Sequence, residues 1–523
     1  MASKSVLLDL PNELFPFIFQ YLSSIDLIKA FSDLQSHRLQ ALIQPFISQL
    51  DVSQESDTWI QTYLPDILNK HNIIALRLQM KYLVFISEYL LSTNIQSVEV
   101  INWGPIDDTG KTVLGQLRRH LKMFFMTCPY SDEDGDLASH LFQSDSQLQH
   151  LAINNCTLYI NDIDICTQLT HLSIELEGMH PLFILVEHLT GIQELKVKIR
   201  SQDCIVQLPP ETSEIKPCRS LHSVTFTGWI KYFDHMKSFF TNFGSTIECL
   251  SLNIDLMFLT VDGKGLEQGL LDKMPRLSSL DLIIHSTVAD SDPLDIKTFQ
   301  SFTWQKFNPI VYWNDRHAHQ HTIFTLPYKC DQFHHLSNEF VSSCVSNRPV
   351  SLSFKHVRSL SLTTTTSLTM ETFQFIQKAF PNVKTLELTN WIKHPLDESE
   401  EDTSVSSVNE DLLFDTTLQI PSVTQFCHFT WSQYDNYKTF RRLLSLFPNL
   451  ICLELDIEQS ILRDILTLAH KDDLVKTLFA NIEQLKISDF HHEAKPLIDA
   501  EFHHFFPRVK NLITEDDDDA DIE

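Results

Sequence analysis

The chain is poor in glycine and in basic residues. Only 11 of its 523 residues are glycine, against 36 phenylalanines, so the glycine-rich loops that bind phosphate groups in nucleotide-binding proteins are scarce. Lysine and arginine total 40, aspartate and glutamate total 68, and the formal net charge is -28. A nucleic-acid-binding protein must place basic side chains against phosphates. This composition therefore argues against nucleic acid as a partner.

Closely spaced cysteines and long apolar runs are also missing. The ten cysteines are scattered singly, without Cys-x-x-Cys pairs or the dense spacing of a secreted disulfide framework, and are interpreted as reduced thiols. The apolar N-terminal run is interrupted by Asp9, Pro11, Asn12, Glu13 and Pro16, which suits neither a signal peptide nor a membrane-spanning helix. We expect no membrane partner and a location in the cytoplasm, the nucleus or both.

Sequence signatures of catalysis are missing as well. The chain has no Gly-x-Ser-x-Gly nucleophile elbow, no Gly-x-Gly-x-x-Gly fingerprint and no kinase signature set. The segment GPIDDTGKT, residues 104–112, approaches a phosphate-binding Walker loop, but five residues rather than four separate Gly104 from Gly110. Asp107 and Asp108 would also repel phosphates. We interpret the segment as a turn and expect no catalytic residue and no cofactor.

Three histidines alternate with other residues at His317, His319 and His321. On an extended strand all three side chains would point to one side, as a zinc site requires. No nearby cysteine or His-Glu-x-x-His spacing completes a ligand set, which favours a polar hairpin tip over a metal site. We expect no bound metal.

A short pattern, apolar-x-x-apolar-x-apolar, recurs through most of the chain. Clear copies begin at residues 148, 169, 192, 221, 247, 277, 357, 383, 450 and 482, and weaker copies begin at 73, 95, 121, 423 and 509. Successive copies start 21 to 32 residues apart, except for intervals of 80 and 40. A regular spacing of this kind indicates an array of structural repeats.

Each copy predicts a short strand, often preceded by a helix. In METFQFIQKAFPNVKTLEL, Met370, Phe373 and Ile376 recur at helical spacing, Pro381 ends the helix, and an alternating strand follows from Val383. Similar proline stops, MPRL, FPNL and FPRV, precede three other strands. One helix and one strand cannot bury their own apolar faces, whereas stacked units form a continuous core. The sequence therefore predicts an α/β solenoid over 51–514.

The repeats resemble the leucine-rich-repeat family, whose L-x-x-L-x-L core they match over about residues 70–514. That resemblance implies a horseshoe with strands on the concave side and helices on the convex side. Where the family usually has Asn or Cys, eight residues after each start, only Cys156 conforms, and Trp103, Trp229, Trp391 and Trp431 occupy four copies. We therefore expect an irregular horseshoe.

The two long intervals predict insertions in the repeat array. A polar centre between two β-rich arms predicts an inserted hairpin at about 300–350, with repeats resuming near residue 350. The acidic stretch at about 396–411 predicts a disordered loop, and 515–523 predicts an acidic disordered tail.

Polar positions between the buried residues of the strands would line the concave face. They include Asn154, Ser173, Glu175, Lys196, Lys198, Thr225, Thr227, Glu387, Thr389, Glu454, Asp456 and Lys486. This polar face of mixed charge fits a surface that binds an unidentified protein partner, and it fits plain solubility equally well.

Residues 1–50 precede the repeats and predict three helices. A short helix is expected from about Phe15 to Tyr21, a second capped by Ser23 or Ser24, and a third from near Ser36 to Pro45. Because Pro16 cannot lie inside a helix that starts at Asn12, either the first turn is irregular or the helix starts later.

This N-terminal module resembles the F-box. The hallmark L-P-x-E-[IL] is present as Leu10, Pro11, Glu13 and Leu14. It is followed by the apolar residues Ile18 and Phe19, the Tyr21-Leu22 pair, Asp26-Leu27 and Ala30. The resemblance implies docking to the adaptor subunit of SCF-type cullin-RING ubiquitin ligases, and through it to cullin. By matching position, the adaptor contacts would be Leu10, Pro11, Leu14, Ile18, Leu22 and Leu27, with Glu13 helping to fix the first turn.

An F-box followed by leucine-rich repeats implies a non-catalytic substrate-recognition subunit of a ubiquitin ligase, with the repeats binding the substrate. The alternative is a non-catalytic repeat scaffold for protein interactions, in which the F-box-like helices cap the first repeat.

Overall fold

The structure is a computed structural model that describes part of the chain. The described residues are 10–31, 37–101, 107–134, 137–160, 163–200, 218–257, 261–287, 295–314, 320–337, 340–341, 352–364, 369–390, 418–428, 437–456, 466–467, 470–488, 505–509 and 511–514. The stretches predicted as an acidic loop and an acidic tail lie outside these residues, as do His317 and His319.

Helices and strands alternate along the chain. The helices are α1 Phe15–Phe19, α2 Ser24–Phe31, α3 His37–Ile47, α4 Asp57–Lys70, α5 Met80–Ser92, α6 Asp108–Leu117, α7 Leu137–Leu141, α8 Met179–His188, α9 Phe233–Phe243, α10 Gly263–Gly269, α11 Phe302–Phe307, α12 Met370–Ala379, α13 Tyr437–Ser445 and α14 Asp473–Phe479. The first ten strands are β1 Gln49–Asp51, β2 Ala75–Gln79, β3 Ser97–Ile101, β4 Met123–Asp134, β5 His150–Leu158, β6 His171–Leu176, β7 Glu194–Ile199, β8 Ser223–Ile230, β9 Cys249–Met257 and β10 Ser279–Thr287. The others are β11 Pro309–Asn314, β12 Gln320–Thr325, β13 Gln332–Leu336, β14 Ser359–Thr364, β15 Thr385–Asn390, β16 Gln425–His428, β17 Cys452–Asp456, β18 Gln484–Ser488 and β19 Asn511–Thr514.

The described residues form two compact units, one ending at Pro309 and the other beginning at Ile310. In the first unit, strands β1 to β10 follow one another in chain order and pair in parallel. The fourth position of the repeat pattern lies in register across all ten strands, and each of these side chains is at most 8% exposed. This row consists of Leu50, Leu76, Val98, Phe124, Leu151, Leu172, Leu195, Val224, Leu250 and Leu280.

The second unit contains a parallel sheet of seven strands, β13 to β19, again in chain order. Its corresponding buried row consists of Phe333, Leu360, Leu386, Phe426, Leu453 and Leu485. Before it in the chain, β11 and β12 are neighbouring strands. A mixed α/β fold with large parallel sheets is therefore confirmed.

Helix α12 begins and ends where local signals predict, whereas α3 continues two residues past Pro45, where its end was expected. Helix α12 is capped by Thr369, whose side chain accepts a hydrogen bond from the Thr372 N–H, and it buries Phe373 and Ile376. It ends before Pro381, as the proline stop predicts.

Two further boundaries differ from the sequence expectations. Strand β1 pairs in register with β2, so the first sheet already includes residues 49–51 at the end of the N-terminal module. Here ISQLDV, residues 47–52, is a further copy of the repeat pattern, whose first position, Ile47, is also the last residue of α3. The second sheet begins with β13 at Gln332, before residue 350, where the repeats were expected to resume.

Across the described ranges, no helix is both long enough and apolar enough to cross a membrane.

Candidate docking surface

The N-terminal module begins with a tight turn. Residues Asn12–Leu14 form a 3₁₀ helix, in which the Leu14 N–H donates to the Pro11 carbonyl oxygen at 3.1 Å. Helix α1 then starts at Phe15, with Pro16 in its first turn, where a missing N–H leaves no intrahelical bond unmade. Pro16 is thus accommodated in both of the ways considered, by an irregular first turn and by a later helix start.

One side of α1 packs into the module. Phe15 and Phe19, one helical turn apart, are 0% and 1% exposed. The Phe19 ring lies 5.5 Å from the Phe31 ring of α2 and 5.6 Å from the Phe46 ring of α3, in edge-on contacts that favour aromatic packing. The three helices therefore share one aromatic core.

The other side of α1 and its flanking residues expose apolar side chains. Among the described residues, 15 large apolar side chains are strongly exposed, and five of them fall within residues 14–22. These five, named here the N-terminal apolar surface, are Leu14 at 45%, Phe17 at 65%, Ile18 at 37%, Tyr21 at 82% and Leu22 at 38% exposed. Their spacing of three or four residues puts Leu14, Phe17, Ile18 and Tyr21 on one helical face. Concentrated exposed apolar residues of this kind mark interaction sites.

The predicted site residues divide into two groups. Leu14, Ile18 and Leu22 belong to the N-terminal apolar surface, Pro11 and Glu13 are exposed in the turn before it, and Leu10 is partly exposed. Leu27 is different, because it is only 1% exposed and lies in the buried face of α2. In this structure Leu27 belongs to the module's core, so we remove it from the set of docking residues.

Sequence reasoning missed two kinds of residue at this site. Phe17 and Tyr21 were not assigned as contacts, although their spacing from Leu14 and Ile18 is a signal that could have found them. Arg38 had no such signal, because its role depends on contacts formed only by folding.

Arg38 in α3 holds the turn in place. Its Nε donates to Asn12 Oδ1 at 2.7 Å, and its Nη2 donates to the Leu10 carbonyl oxygen at 2.5 Å. The guanidinium also lies 5.8 Å from the centre of the Phe15 ring. Among the described residues the Glu13 side chain has no hydrogen-bond partner, whereas Arg38 connects the turn to α3 through Asn12 and Leu10.

The start of α2 is closed by a reciprocal cap. Ser23 Oγ accepts from the Asp26 N–H at 3.1 Å and donates to Asp26 Oδ2 at 2.7 Å. The prediction that Ser23 or Ser24 caps this helix is confirmed for Ser23. Ser24 Oγ instead contacts the carbonyl oxygens of Phe46 and Gln49, at 3.0 and 2.6 Å, and so joins α2 to the start of β1.

A second link joins the module to the repeats through α2 and α4. Lys29 Nζ lies 3.1 Å from Glu55 Oε2 and 5.1 Å from the centre of the Trp59 ring. With the Ser24 contacts, this link fixes the orientation of the N-terminal apolar surface relative to the first repeat.

The other candidate sites, as far as the described residues cover them, show no ligand geometry. The Asp107 carboxylate caps α6 by accepting from the Gly110 N–H at 2.7 Å, and therefore occupies the place where a phosphate would bind. His321 is buried in β12. Within the part of the chain that the structure describes, no three His, Cys, Asp or Glu side chains are arranged to hold a metal ion.

Comparison with known proteins gives no sequence match and one weak structural similarity among those found. No family model matches the sequence, and no curated protein matches it significantly. A solved structure with some similarity is the crystal structure of the Rad7 and Elc1 complex in yeast, at 13% sequence identity and a TM-score of 0.31, covering 72% of this chain and 88% of the other. A TM-score of this size supports no conclusion about fold or function.

Proposed function

We propose that this chain is the substrate-recognition subunit of an SCF-type cullin-RING ubiquitin ligase, working in the cytoplasm or nucleus. Its N-terminal F-box docks to the adaptor, the adaptor links it to cullin, and the repeats bind the substrate. The chain itself is not an enzyme. The observation that carries the proposal is the N-terminal apolar surface, which coincides with the F-box-like positions Leu14, Ile18 and Leu22.

The physical support comes from the two-sided packing of α1. Its inner residues, Phe15 and Phe19, already complete the module's own core, so the exposed side chains are not needed to stabilise that core. Burying a large apolar side chain contributes about 1.5–3 kcal/mol. Aromatic anchors such as Phe17 and Tyr21 are typical of residues that dominate binding energy. A partner that covers this surface would therefore bind through a few apolar anchors.

In the same proposal, each parallel sheet belongs to an irregular leucine-rich-repeat solenoid with strands on its concave face and helices on its convex face. The parallel pairing in chain order and the buried row in register are the features that such repeats require. The concave strand faces would then be available to a substrate.

The alternative function is a cap on the repeat array. It is favoured by the contacts of Ser24 with Gln49 and of Lys29 with Glu55, which attach the module to the first strand and to the residues just before α4. A cap, however, needs a polar outer face to remain soluble. The outer face here exposes five large apolar side chains, and this favours docking over capping alone.

Co-purification with the adaptor tests the proposal. The tagged full-length chain is co-expressed with the SCF adaptor and cullin, and the retained adaptor is quantified. We expect wild-type protein to retain both subunits and the variant Leu14→Asp plus Ile18→Asp to lose at least about tenfold in adaptor binding, because charges replace two apolar anchors.

A matched control is Val84→Asp plus Phe85→Asp in α5, where two apolar residues are 38% and 44% exposed, close to the values for the test pair. This control should retain the adaptor. Circular dichroism and thermal unfolding establish that each variant remains folded. Wild-type protein that fails to retain the adaptor, or a folded test variant that still binds it, would refute docking and leave the capping role.

A further inference from the structure

Strand β7 presents two different faces. Leu195, Val197 and Ile199 are buried, while the alternating residues Lys196 and Lys198 are exposed on the opposite face. Arg200 follows directly after the strand, and continued alternation puts it on the same face as the two lysines. Three successive outward positions, two in β7 and one just after it, are therefore basic, in a chain whose net charge is -28.

Two of these basic side chains form ion pairs within the protein. Lys198 Nζ lies 3.1 Å from Glu175 Oε1, and Arg200 Nε lies 2.6 Å from Glu175 Oε2. Glu175, in the adjacent strand β6, is only 5% exposed. Its charge is therefore already balanced inside the sheet, and Lys196 is not required for it.

Lys196 differs from the other lysine and arginine residues at the same position of the repeat. Arg77 lies in register between Asp51 and Glu99 and pairs with both, at 3.3 and 3.2 Å. Lys486 lies in register with Glu454 and pairs with it at 3.5 Å.

The register neighbours of Lys196 are instead Ser173 and Thr225, about 4.8 Å away on either side at the usual strand spacing. Within the described stretches, Lys196 has no ion pair. Its side chain rises from the strand between those of Ser173 and Thr225, and its ammonium group is thus available to an anionic group from outside.

An exposed tryptophan lies beside this row. Gly228 pairs with Ile199 and has φ of 100°, and a Cβ at this position would lie 2.1 Å from the Ile199 carbonyl oxygen. Only glycine permits this close approach of β8 to β7. The next residue, Trp229, is 41% exposed on the same face as Thr225, and it follows the register toward Arg200. Tryptophan and arginine are frequent anchors in protein interfaces.

We propose that Lys196, Thr225 and Trp229, named here the β7–β8 surface, bind an acidic segment of a partner protein. A carboxylate of the segment contacts Lys196 and the flanking hydroxyls, and an apolar side chain packs on Trp229. Acidic side chains border the surface: Glu194 lies two residues before Lys196 in β7, and Asp255 of β9 is in register with Trp229. The segment therefore lies across β7 and β8 between them.

This inference rests on the proposed function only in identifying the partner as a ligase substrate. The binding of the segment does not depend on the adaptor. An extended row of side chains across several strands suits a protein segment, and the overall acidity of the chain opposes a nucleic acid.

The test is selection from a displayed library of random peptides on the purified full-length chain, without adaptor. We expect the recovered peptides to be enriched in Asp and Glu together with an aromatic or large apolar residue. Their affinity should fall at least about tenfold for Lys196→Glu and also for Trp229→Ala, and it should weaken as salt is raised.

Lys196 is preferred over Lys198 for this test because its replacement leaves the partners of Glu175 intact. The matched control is Lys122→Glu, which makes the same charge change at an exposed lysine outside the surface and should leave affinity unchanged. Recovered peptides without an acidic excess, or acidic peptides that bind Lys196→Glu as tightly as wild type, would overturn the proposal. So would a single-stranded oligonucleotide that displaces the peptides and itself requires Lys196.

The experiments can refute the ligase role and the acidic-segment proposal independently of each other. Loss of acidic-peptide selection with intact adaptor retention overturns only this inference. Selection of acidic peptides by a protein that ignores the adaptor overturns only the ligase role.

Discussion

Arg38 and Asn12 are 26 residues apart in the sequence, yet the Arg38 Nε donates a hydrogen bond of 2.7 Å to the Asn12 side-chain oxygen. Through this bond, α3 holds the turn that leads into α1. The same guanidinium donates to the Leu10 carbonyl oxygen at 2.5 Å. The turn that carries the L-P-x-E-[IL] pattern is thus positioned from a helix that is not part of the pattern.

The first prediction concerns this contact. Replacing Arg38 by alanine removes both hydrogen bonds and should loosen the turn, because an intramolecular bond to a charged donor contributes about 1.5–3 kcal/mol and somewhat less at an exposed site. Amide hydrogen exchange of the peptides covering residues 10–14 should accelerate by about tenfold in Arg38→Ala. The Leu14 N–H, bonded to the Pro11 carbonyl oxygen, is the principal reporter.

Two comparisons make this prediction specific. Arg276→Ala removes another exposed arginine and should leave exchange at residues 10–14 unchanged. Asn12→Ala should accelerate exchange less than Arg38→Ala, because Arg38 keeps its bond to the Leu10 carbonyl oxygen. Unaltered exchange in Arg38→Ala would mean that the turn is held by other contacts.

Local signals in the sequence predict much of this fold. Helix α12 has a capping threonine, apolar residues at helical spacing and a proline stop, and it forms where these signals indicate. Most strands of the two sheets coincide with copies of one pattern, because the same apolar positions must stack in register to be buried. These elements are set by residues close together in the chain.

Contacts between distant residues could not be predicted in the same way. Ile18 and Leu27 are both apolar residues in short helices, but Ile18 is 37% exposed and Leu27 only 1%. The packing of α2 on α3 decides between these outcomes, and no local pattern encodes it. The repeat copy that begins at Ile47 was also not recognised from the sequence, because its first residue is at the same time the last residue of a helix.

The second prediction concerns pH and the stacked histidines of β5 and β6. The rings of His150 and His171 lie 4.1 Å apart and nearly parallel. Burial lowers the pKa of His150, the neighbouring His171 lowers it further, and Glu194 opposes the shift. His150 therefore binds a proton less readily in the folded chain than in the unfolded chain. Its contribution to stability is fully present above the unfolded pKa, about 6.5, and is lost as pH falls from there through the lower pKa of the folded state.

Thermal unfolding measured between about pH 7.5 and 5.5 should show a falling melting temperature. The variant His150→Phe, which keeps a stacked ring without a titratable group, should make this dependence shallower. It should not abolish it, because burial also lowers the pKa of His71 and of His235. His120→Phe at an exposed position is the control and should retain the wild-type slope. An equal slope in His150→Phe and wild type would contradict the prediction.

The third prediction concerns the buried carboxylate of Glu175 in β6, the strand next to the β7–β8 surface. Its oxygens face Lys198 and Arg200, and Oε1 also accepts from the Asn155 N–H at 2.9 Å. Asn155 adopts φ of 59°, a conformation that asparagine tolerates better than most residues. Removing Arg200 leaves this buried charge with fewer partners, at a cost of about 1–3 kcal/mol in the free energy of unfolding.

Urea denaturation of Arg200→Ala should therefore show clear destabilisation, and adding Glu175→Gln should recover part of it, because an uncharged amide has less need of the missing cation. Arg119→Ala breaks an ion pair to Asp145 in which both side chains are largely exposed, and it should cost less than about 1 kcal/mol. If Arg200→Ala costs no more than Arg119→Ala, Lys198 and the Asn155 N–H suffice for Glu175. Arg200 would then be as free as Lys196 to contact a partner, and the β7–β8 surface would carry two available cations instead of one.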